Sequence, residues 1–334
     1  MRPDLLSLLA CPNCSGDLAI DATSRAENGR IETGALRCAG CGGTYEVKGF
    51  IPRFVPKENY AGSFGFQWNR FRNTQLDSHS GVPISRERFY ASTGWKRDDL
   101  KGRLLLDAGC GAGRFAEVAL EAGARVVAMD YSSAVEACRA NLSQFDSLDV
   151  VQADIFHLPF QRDRFDRIYS LGVLQHTPDP KSAFQALRAP LRPGGDLAVD
   201  VYPKMLRNVF WSKYWVRPVT KRIESRKLFG LVERSIGPLL AVSNFLNAIP
   251  KVGPKLKYLV PVANYRGVYP LDESQLREWS VLDTFDMLAP AHDHPETAAG
   301  LRSWFQDGGL EHIEVFRAGH VIGRGQKPIA RVPA

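Results

Sequence analysis

Leu104-Leu105-Leu106-Asp107-Ala108-Gly109-Cys110-Gly111-Ala112-Gly113-Arg114 decides how the rest of the chain is read. Three consecutive leucines predict a fully buried parallel strand, and the run stops at an acid followed by alternating glycines. Gly109, Gly111 and Gly113 remove Cβ atoms where a tight strand-to-helix turn approaches a bound ligand. A dinucleotide fingerprint in G-x-G-x-x-G order requires glycine at position 114. This chain has Arg114 there and places its third glycine one residue earlier.

Downstream, strand and helix signals alternate, which predicts an α/β doubly wound sheet. Arg114 to Ala122 reads as a helix with Phe115, Val118, Ala119 and Ala122 on one face, stopped by Gly123. Arg125 to Met129 is the second strand. It ends at Asp130, twenty-three residues after Asp107, where an acid is placed to accept both hydroxyls of a ribose. Tyr131 follows, and Ser132 and Ser133 suit a helix cap. Asp149 to Ala153 reads as the third strand, with Asp154 and Ile155 at its end, and Arg164 to Ser170 as the fourth. Lys181 to Arg188 is a helix, Pro193-Gly194-Gly195 a turn, and Asp196 to Tyr202 the fifth strand. Sheets of this class bind ligands at the carboxyl ends of their strands.

The D-x-G-x-G-x-G spacing opened by Asp107, with the L-R-P-G-G turn at 191–195, resembles class I S-adenosylmethionine-dependent methyltransferases. The resemblance spans residues 100–202 and resumes at 296–327. It implies S-adenosyl-L-methionine as cofactor, with Asp107 and the three glycines around it, Asp130 on the ribose and Tyr131 against adenine. It further implies that Asp154 accepts from the adenine amine and that the backbone of Ile155 meets the ring. Strand four runs into Leu171-Gly172-Val173-Leu174-Gln175-His176-Thr177 rather than an N-P-P-Y motif, and no Pro-Cys pair is present. Methylation of a nucleobase amine or ring carbon therefore lacks its usual signature. His176 is the candidate general base, because imidazole titrates near neutrality; the alternative is that it only shapes the pocket.

Two knuckles precede this region, Cys11-Pro12-Asn13-Cys14 and Cys38-Ala39-Gly40-Cys41, separated by twenty-three residues. Four thiolates converging on one tetrahedral ion are the usual arrangement of a structural zinc, with no position left open for catalysis. Disulfides or a redox pair are the alternatives, and the lack of a secretion signal weighs against the first. The stretch from Leu5 to Pro56, with Tyr45 to Pro52 near its end, resembles the zinc ribbon of the tRNA-methyltransferase-activator type. Cys110 and Cys138 read as small buried residues. The apolar Leu5–Leu9 patch is too short for a signal core, and no run approaches the roughly 18 apolar residues of a span. A cytoplasmic protein is expected.

Between ribbon and sheet, Phe64-Gly65-Phe66-Gln67-Trp68-Asn69 reads either as an arm packed on the next domain or as a lid over the cofactor or acceptor pocket. The expected division is a ribbon at 1–57, an aromatic linker at 58–100, the sheet at 101–202 with 296–334, and a largely helical capping insert at 203–295. Charge is uneven. Pro203 to Pro270 holds thirteen Lys/Arg and two acids, a local +11 against +7 for the chain, so the remainder carries −4. Basic residues interleaved with Trp211, Tyr214 and Trp215 suit peripheral contact with a membrane surface, a lipid-linked acceptor or RNA. A helical cap with a solvated basic face is the plainer alternative. The insert closes with Val281 to Asp286 and Ala291 to Pro295, a segment expected to border the acceptor; its His292-Asp293-His294 could bind a second metal, but adjacent positions point apart, so the three read as pocket or loop residues.

The function expected is methyl transfer to oxygen or nitrogen of a small-molecule, saccharide or lipid-linked acceptor. An rRNA or tRNA methyltransferase, using ribbon and insert to hold RNA, is the second reading. A non-catalytic module that keeps the cofactor pocket is the third.

Overall fold

The computed structural model describes residues 1–22, 24–56, 59, 61–205 and 211–329. Lys57, Glu58 and Tyr60 of the expected linker and arm, and Leu206 to Phe210 at the start of the insert, lie outside the described residues.

The first fifty residues form a small antiparallel sheet: β1 (Leu18–Ile20), β2 (Arg25–Glu27), β3 (Arg30–Cys38), β4 (Thr44–Lys48) and β5 (Ile51–Pro52). Their order is β1-β3-β4-β5, and β2 pairs with β3 off this path. Three helices come next, α1 (Gly62–Arg70), α2 (Asp77–Ser80) and α3 (Ile84–Thr93).

The expected alternation then appears as β6 (Leu104–Ala108), α4 (Arg114–Glu121), β7 (Arg125–Asp130), α5 (Ala134–Asn141), β8 (Leu148–Gln152), β9 (Phe165–Leu171), α6 (Pro180–Ala186) and β10 (Leu191–Val201). Asp179 caps α6 by accepting from the Ser182 amide at 3.1 Å, with Pro180 in the first turn where a missing N–H costs nothing. The cap follows as α7 (Ser212–Thr220), α8 (Ser225–Asn247), α9 (Gly253–Leu256) and α10 (Glu273–Leu288). The chain returns with α11 (Ala298–Asp307), β11 (Glu311–Ala318) and β12 (His320–Gln326).

The large sheet has seven strands in the order β11-β12-β10-β9-β6-β7-β8. β10, β9, β6, β7 and β8 are parallel, and β12 and β11 are antiparallel. The chain runs outward from β6 through β7 to β8, then crosses back to β9 on the other side of β6. That reversal opens a crevice at the carboxyl ends of β6 and β9, where such sheets hold ligands.

Two local expectations change. Pro193-Gly194-Gly195, read as a turn, lies within β10 as a bulge, where the register to β9 shifts between Leu191 and Asp196. A Cβ at Gly195 would meet the Asp166 carbonyl at 2.8 Å, so only glycine lets the two backbones pass that closely. Val281 to Asp286, read as the close of the insert, sits inside α10, which a capping box of Asp272 and Gln275 starts.

The ribbon is continuous with the sheet. Leu36 and Val47 share one hydrophobic cluster with Val151, Ile155 and Phe160. Arg53 bridges to Gln152 at the edge strand β8, and the Arg2 guanidinium pairs with buried Asp149 at 2.5 Å. The cap has a cluster of its own, in which Phe229, Ile236 and Val232 of α8 meet Leu282 and Phe285 of α10, joined by Phe66 and Trp68 of α1.

Candidate functional site

A cavity of about 1100 Å3 lies between the strand ends and the cap. One wall is the turn after β6. Gly109 and Gly111 have φ of +93° and +52°, the left-handed region that glycine enters without strain. A Cβ at Gly109 would run into Val173, and one at Gly111 would stand 3.1 Å from the Trp68 ring. Asp130 at the end of β7 ties this turn down. Its Oδ2 accepts from the Gly111 amide at 3.0 Å, and its Oδ1 from the Ser132 amide and hydroxyl at 2.8 and 2.7 Å. Burial pushes the Asp130 carboxyl upward, and the Ser132 and Gly111 donors oppose that.

Gly109, Gly111, Asp130, Tyr131, Ile155 and His176 all line the cavity. Asp107, Gly113 and Asp154 are not among the lining residues. Asp107 is buried within the sheet, and its Oδ2 and the nearby Tyr169 hydroxyl lack a partner of hydrogen-bond geometry among the described residues. Burial pushes Asp107 up to about 8; the Tyr169 hydroxyl opposes the rise and the Asp130 charge adds to it. Gly113 faces away, toward Leu142 and Cys138. The Asp154 carboxylate turns into its own loop, accepting from the Phe156 amide at 3.0 Å and standing 3.2 Å from the His157 ring.

The aromatic arm touches both the cap and the cavity. Phe66 packs edge-on to Phe229 of the cap, while Phe64 and Trp68 line the cavity. Asn59 and Asn69 donate to the Tyr131 and Ser133 carbonyls, holding the arm over the end of β7.

His176 sits between Phe64 and Tyr202, with ring centroids 5.2 and 5.4 Å away. Its Nδ1 is 3.1 Å from the His292 carbonyl, which can only accept, so Nδ1 is the donor and Nε2 is the ring nitrogen left to the cavity.

The opposite wall includes the segment from Val281 to Asp286 expected to border the acceptor, although its two acids are not singled out by the sequence. Asp283 and Asp286, one turn apart on α10, both face the cavity. The Tyr265 hydroxyl donates to Asp283, and Gln75 donates to it at 3.3 Å. Asp286 accepts from the Tyr202 hydroxyl and from Gln67 of the arm, both at 3.3 Å. Burial pushes Asp283 up to about 7; Tyr265 opposes this and the Asp286 charge reinforces it. The i, i+3 spacing of the two acids on one helix was the available signal.

The basic insert needs a correction. Lys213 and Arg217, counted with its outward charge, are buried, and both reach Asp293, at 3.1 and 3.8 Å. Arg217 also donates to the carbonyls of Met287 and Pro290. These two cations fasten α7 to the segment after α10 and present nothing to a polyanion. Asp293 thus points away from His292 and His294, whose rings stack on each other at 5.7 Å.

In the ribbon, the Sγ atoms of Cys11, Cys14, Cys38 and Cys41 all lie within 4.8 Å of one another. Sulfurs about 2.3 Å from a tetrahedral ion stand about 3.8 Å apart, so the cluster fits zinc. The Tyr45 hydroxyl, 3.0 Å from Cys11 Sγ, is placed to donate to a thiolate ligand.

Residues 106–199 match the family model described as a methyltransferase domain. The chain is 31% identical over 147 residues to the sterol 24-C-methyltransferase ERG6 of Saccharomyces cerevisiae, a match covering 42% of this chain and 37% of that one. It is 27% identical over 209 residues to the methyltransferase GfsG of Streptomyces halstedii, covering 61% and 68%. It thus spans little more than a third of the yeast relative's length. Among solved structures, magnesium protoporphyrin IX methyltransferase from Synechocystis with bound S-adenosylhomocysteine is similar at a TM-score of 0.43 and 16% identity, covering 80% of this chain and 96% of that one.

Proposed function

We propose that the chain is an S-adenosylmethionine-dependent methyltransferase acting on oxygen or nitrogen of a small amphiphilic acceptor, a saccharide or lipid-linked one included. The observation that carries this reading is the single cavity shared by two unlike walls. One wall is a glycine turn with a carboxylate at the neighbouring strand end; the other is a pair of carboxylates among tyrosines. The methyltransferase-domain match covers the first wall.

The residues present suit the nucleoside. Gly109 and Gly111 offer a wall without side chains, Asp130 keeps a free lone pair on Oδ2 for a ribose hydroxyl, and Met129, Tyr131, Ala153 and Ile155 form a mainly apolar slot for a flat base. Asp107 and Gly113 act from behind this wall by shaping the turn. When bound, the cofactor supplies an electrophilic methyl group on a sulfonium.

The chain's own residues then do the rest. Asp283 and Asp286 accept hydrogen bonds from the acceptor's polar end and orient it, the source of most of the gain in a reaction whose electrophile is already activated. For a hydroxyl acceptor, His176 takes the proton at Nε2, its tautomer fixed by the His292 carbonyl. Phe64 and Trp68 close the cavity against water. The cysteine cluster holds a structural zinc with all four positions filled by protein.

Incubation with methyl-labelled cofactor and separated metabolite, lipid and RNA fractions tests the proposal. Label in the lipid or metabolite fraction is expected. Label in RNA would establish the second reading, and cofactor binding without transfer to any fraction would establish the third.

A further inference from the structure

We propose that the tip of the cap docks on an anionic lipid bilayer, so that the cavity mouth opens onto the membrane that carries the acceptor. This rests on the reading above and narrows its acceptor to a membrane amphiphile.

The tip is the end of α8, the turn after it, and α9 with residues 257–259. Val242 and Phe245, three residues apart on one face of α8, are 50% and 72% exposed. Val252 and Leu259, both 47% exposed, lie in the turn after α8 and just past α9. A Cβ at Gly253 would come within 2.5 Å of the Asn247 carbonyl, so α9 lies hard against the end of α8 and the patch is built on one body. Solvent-exposed Val, Leu and Phe in such proximity cost free energy unless something covers them.

Charge indicates what covers them. No acid occurs between Glu233 and Asp272, whereas Lys251, Lys255 and Lys257 stand among the apolar residues. Apolar side chains rimmed by lysine suit the interface of an anionic bilayer. A second copy of the chain would oppose lysine to lysine with no acid to pair them. RNA would gain from stacking on Phe245 but little from the aliphatic Val242, Val252 and Leu259 that make up most of the patch. No helix among the described residues is long and apolar enough to cross a membrane, so the contact is peripheral.

The cavity joins the same surface. Lys255, Lys257, Tyr258 and Leu259 line its outer end, and the Tyr258 ring packs on Trp211 beside Lys213. An amphiphile leaving the bilayer enters between these residues and carries its polar end inward, toward Asp283 and Asp286.

Co-sedimentation of the whole chain with phosphatidylcholine vesicles, with and without phosphatidylglycerol, tests the docking. Binding to the anionic vesicles alone, weakened by salt, is expected. Phe245→Asp should lower partition more than about tenfold, and Lys251→Gln about fivefold, the worth of one lysine near such a surface. Neither residue lines the cavity, so S-adenosylhomocysteine binding by calorimetry should be unchanged in both variants and reports that they are folded. No sedimentation with anionic vesicles while that ligand binds normally would overturn the docking and leave the methyltransferase reading standing. Vesicle binding by a chain that fails to bind S-adenosylhomocysteine would support the docking and remove the enzyme reading instead. A dimer that dissolves on Phe245→Asp without vesicle binding would assign the patch to a second copy.

Discussion

Replacing Asp130 with alanine tests the cofactor wall, and the structure sets how large the effect should be. A carboxylate offers about four lone-pair sites. Ser132 takes two on Oδ1 through its amide and hydroxyl, and the Gly111 amide takes one on Oδ2. One site is left for a ribose hydroxyl. A hydrogen bond to a charged group contributes about 1.5–3 kcal/mol, so Asp130→Ala should raise the Kd for S-adenosylhomocysteine roughly 10- to 150-fold. Bidentate capture of both hydroxyls would need Ser132 to let go. Ser132→Ala frees that second site, so it should leave affinity unchanged or improve it, at a cost of about 1 kcal/mol in stability from losing the hydrogen bond its hydroxyl accepts from the Ala134 amide. Isothermal calorimetry reads both variants, with urea unfolding to show that each is folded. An Asp130→Ala protein that unfolds cooperatively and binds within about threefold of the parent would refute the ribose role.

Three further outcomes follow from the same geometry. Metal analysis should find about one zinc per chain, and Cys14→Ser should lose it and weaken S-adenosylhomocysteine binding together; a folded, metal-free preparation with full affinity would remove the ribbon's zinc. Lys213→Met leaves Asp293 buried against Arg217 alone and should cost about 3–5 kcal/mol by urea unfolding, most of it recovered in Lys213→Met with Asp293→Leu; a single variant within 1 kcal/mol of the parent would mean that Arg217 suffices. Asp107, raised from 3.8 to about 8, holds its proton more tightly folded than unfolded. Its contribution is therefore full below about pH 4 and is lost as pH rises toward 8, at a ceiling of about 1.4 kcal/mol per pH unit. Asp107→Asn should gain on the parent across that window, and a constant difference from pH 5 to 8 would contradict it.

What the sequence disclosed was whatever the chain encodes locally. The strands from β6 to β9 fall within a residue or two of their expected ends, because each is an apolar run closed by an acid, a glycine or a polar turn. Gly109, Gly111 and Asp130 could be placed for the same reason: a strand and the residue after it share one short stretch. The acceptor wall draws on Tyr202, Tyr265, Asp283 and Asp286 from separate segments, and no local period links them. Charge misled in a similar way. Counting Lys213 and Arg217 as surface ignored Asp293, some eighty residues on, which takes both into the interior.

The ribbon's place shows how far such remote contacts reach into the cofactor wall. Counted by itself, a module of about fifty residues with four cysteines is a self-contained unit that metal holds together. Its Leu36 and Val47 instead complete the core beneath Val151 and Ile155, at the edge of the large sheet. Arg53, just past β5, donates to Gln152 at 2.7 Å, and Gln152 donates in turn to the Tyr131 carbonyl at 3.2 Å. Two cavity residues, Tyr131 and Ile155, are thus braced by the segment that carries the four cysteines. Loosening the cysteine cluster withdraws support from β8 before any contact with the cofactor is touched. Metal content and cofactor affinity should for that reason fall together, although none of the four cysteines lines the cavity.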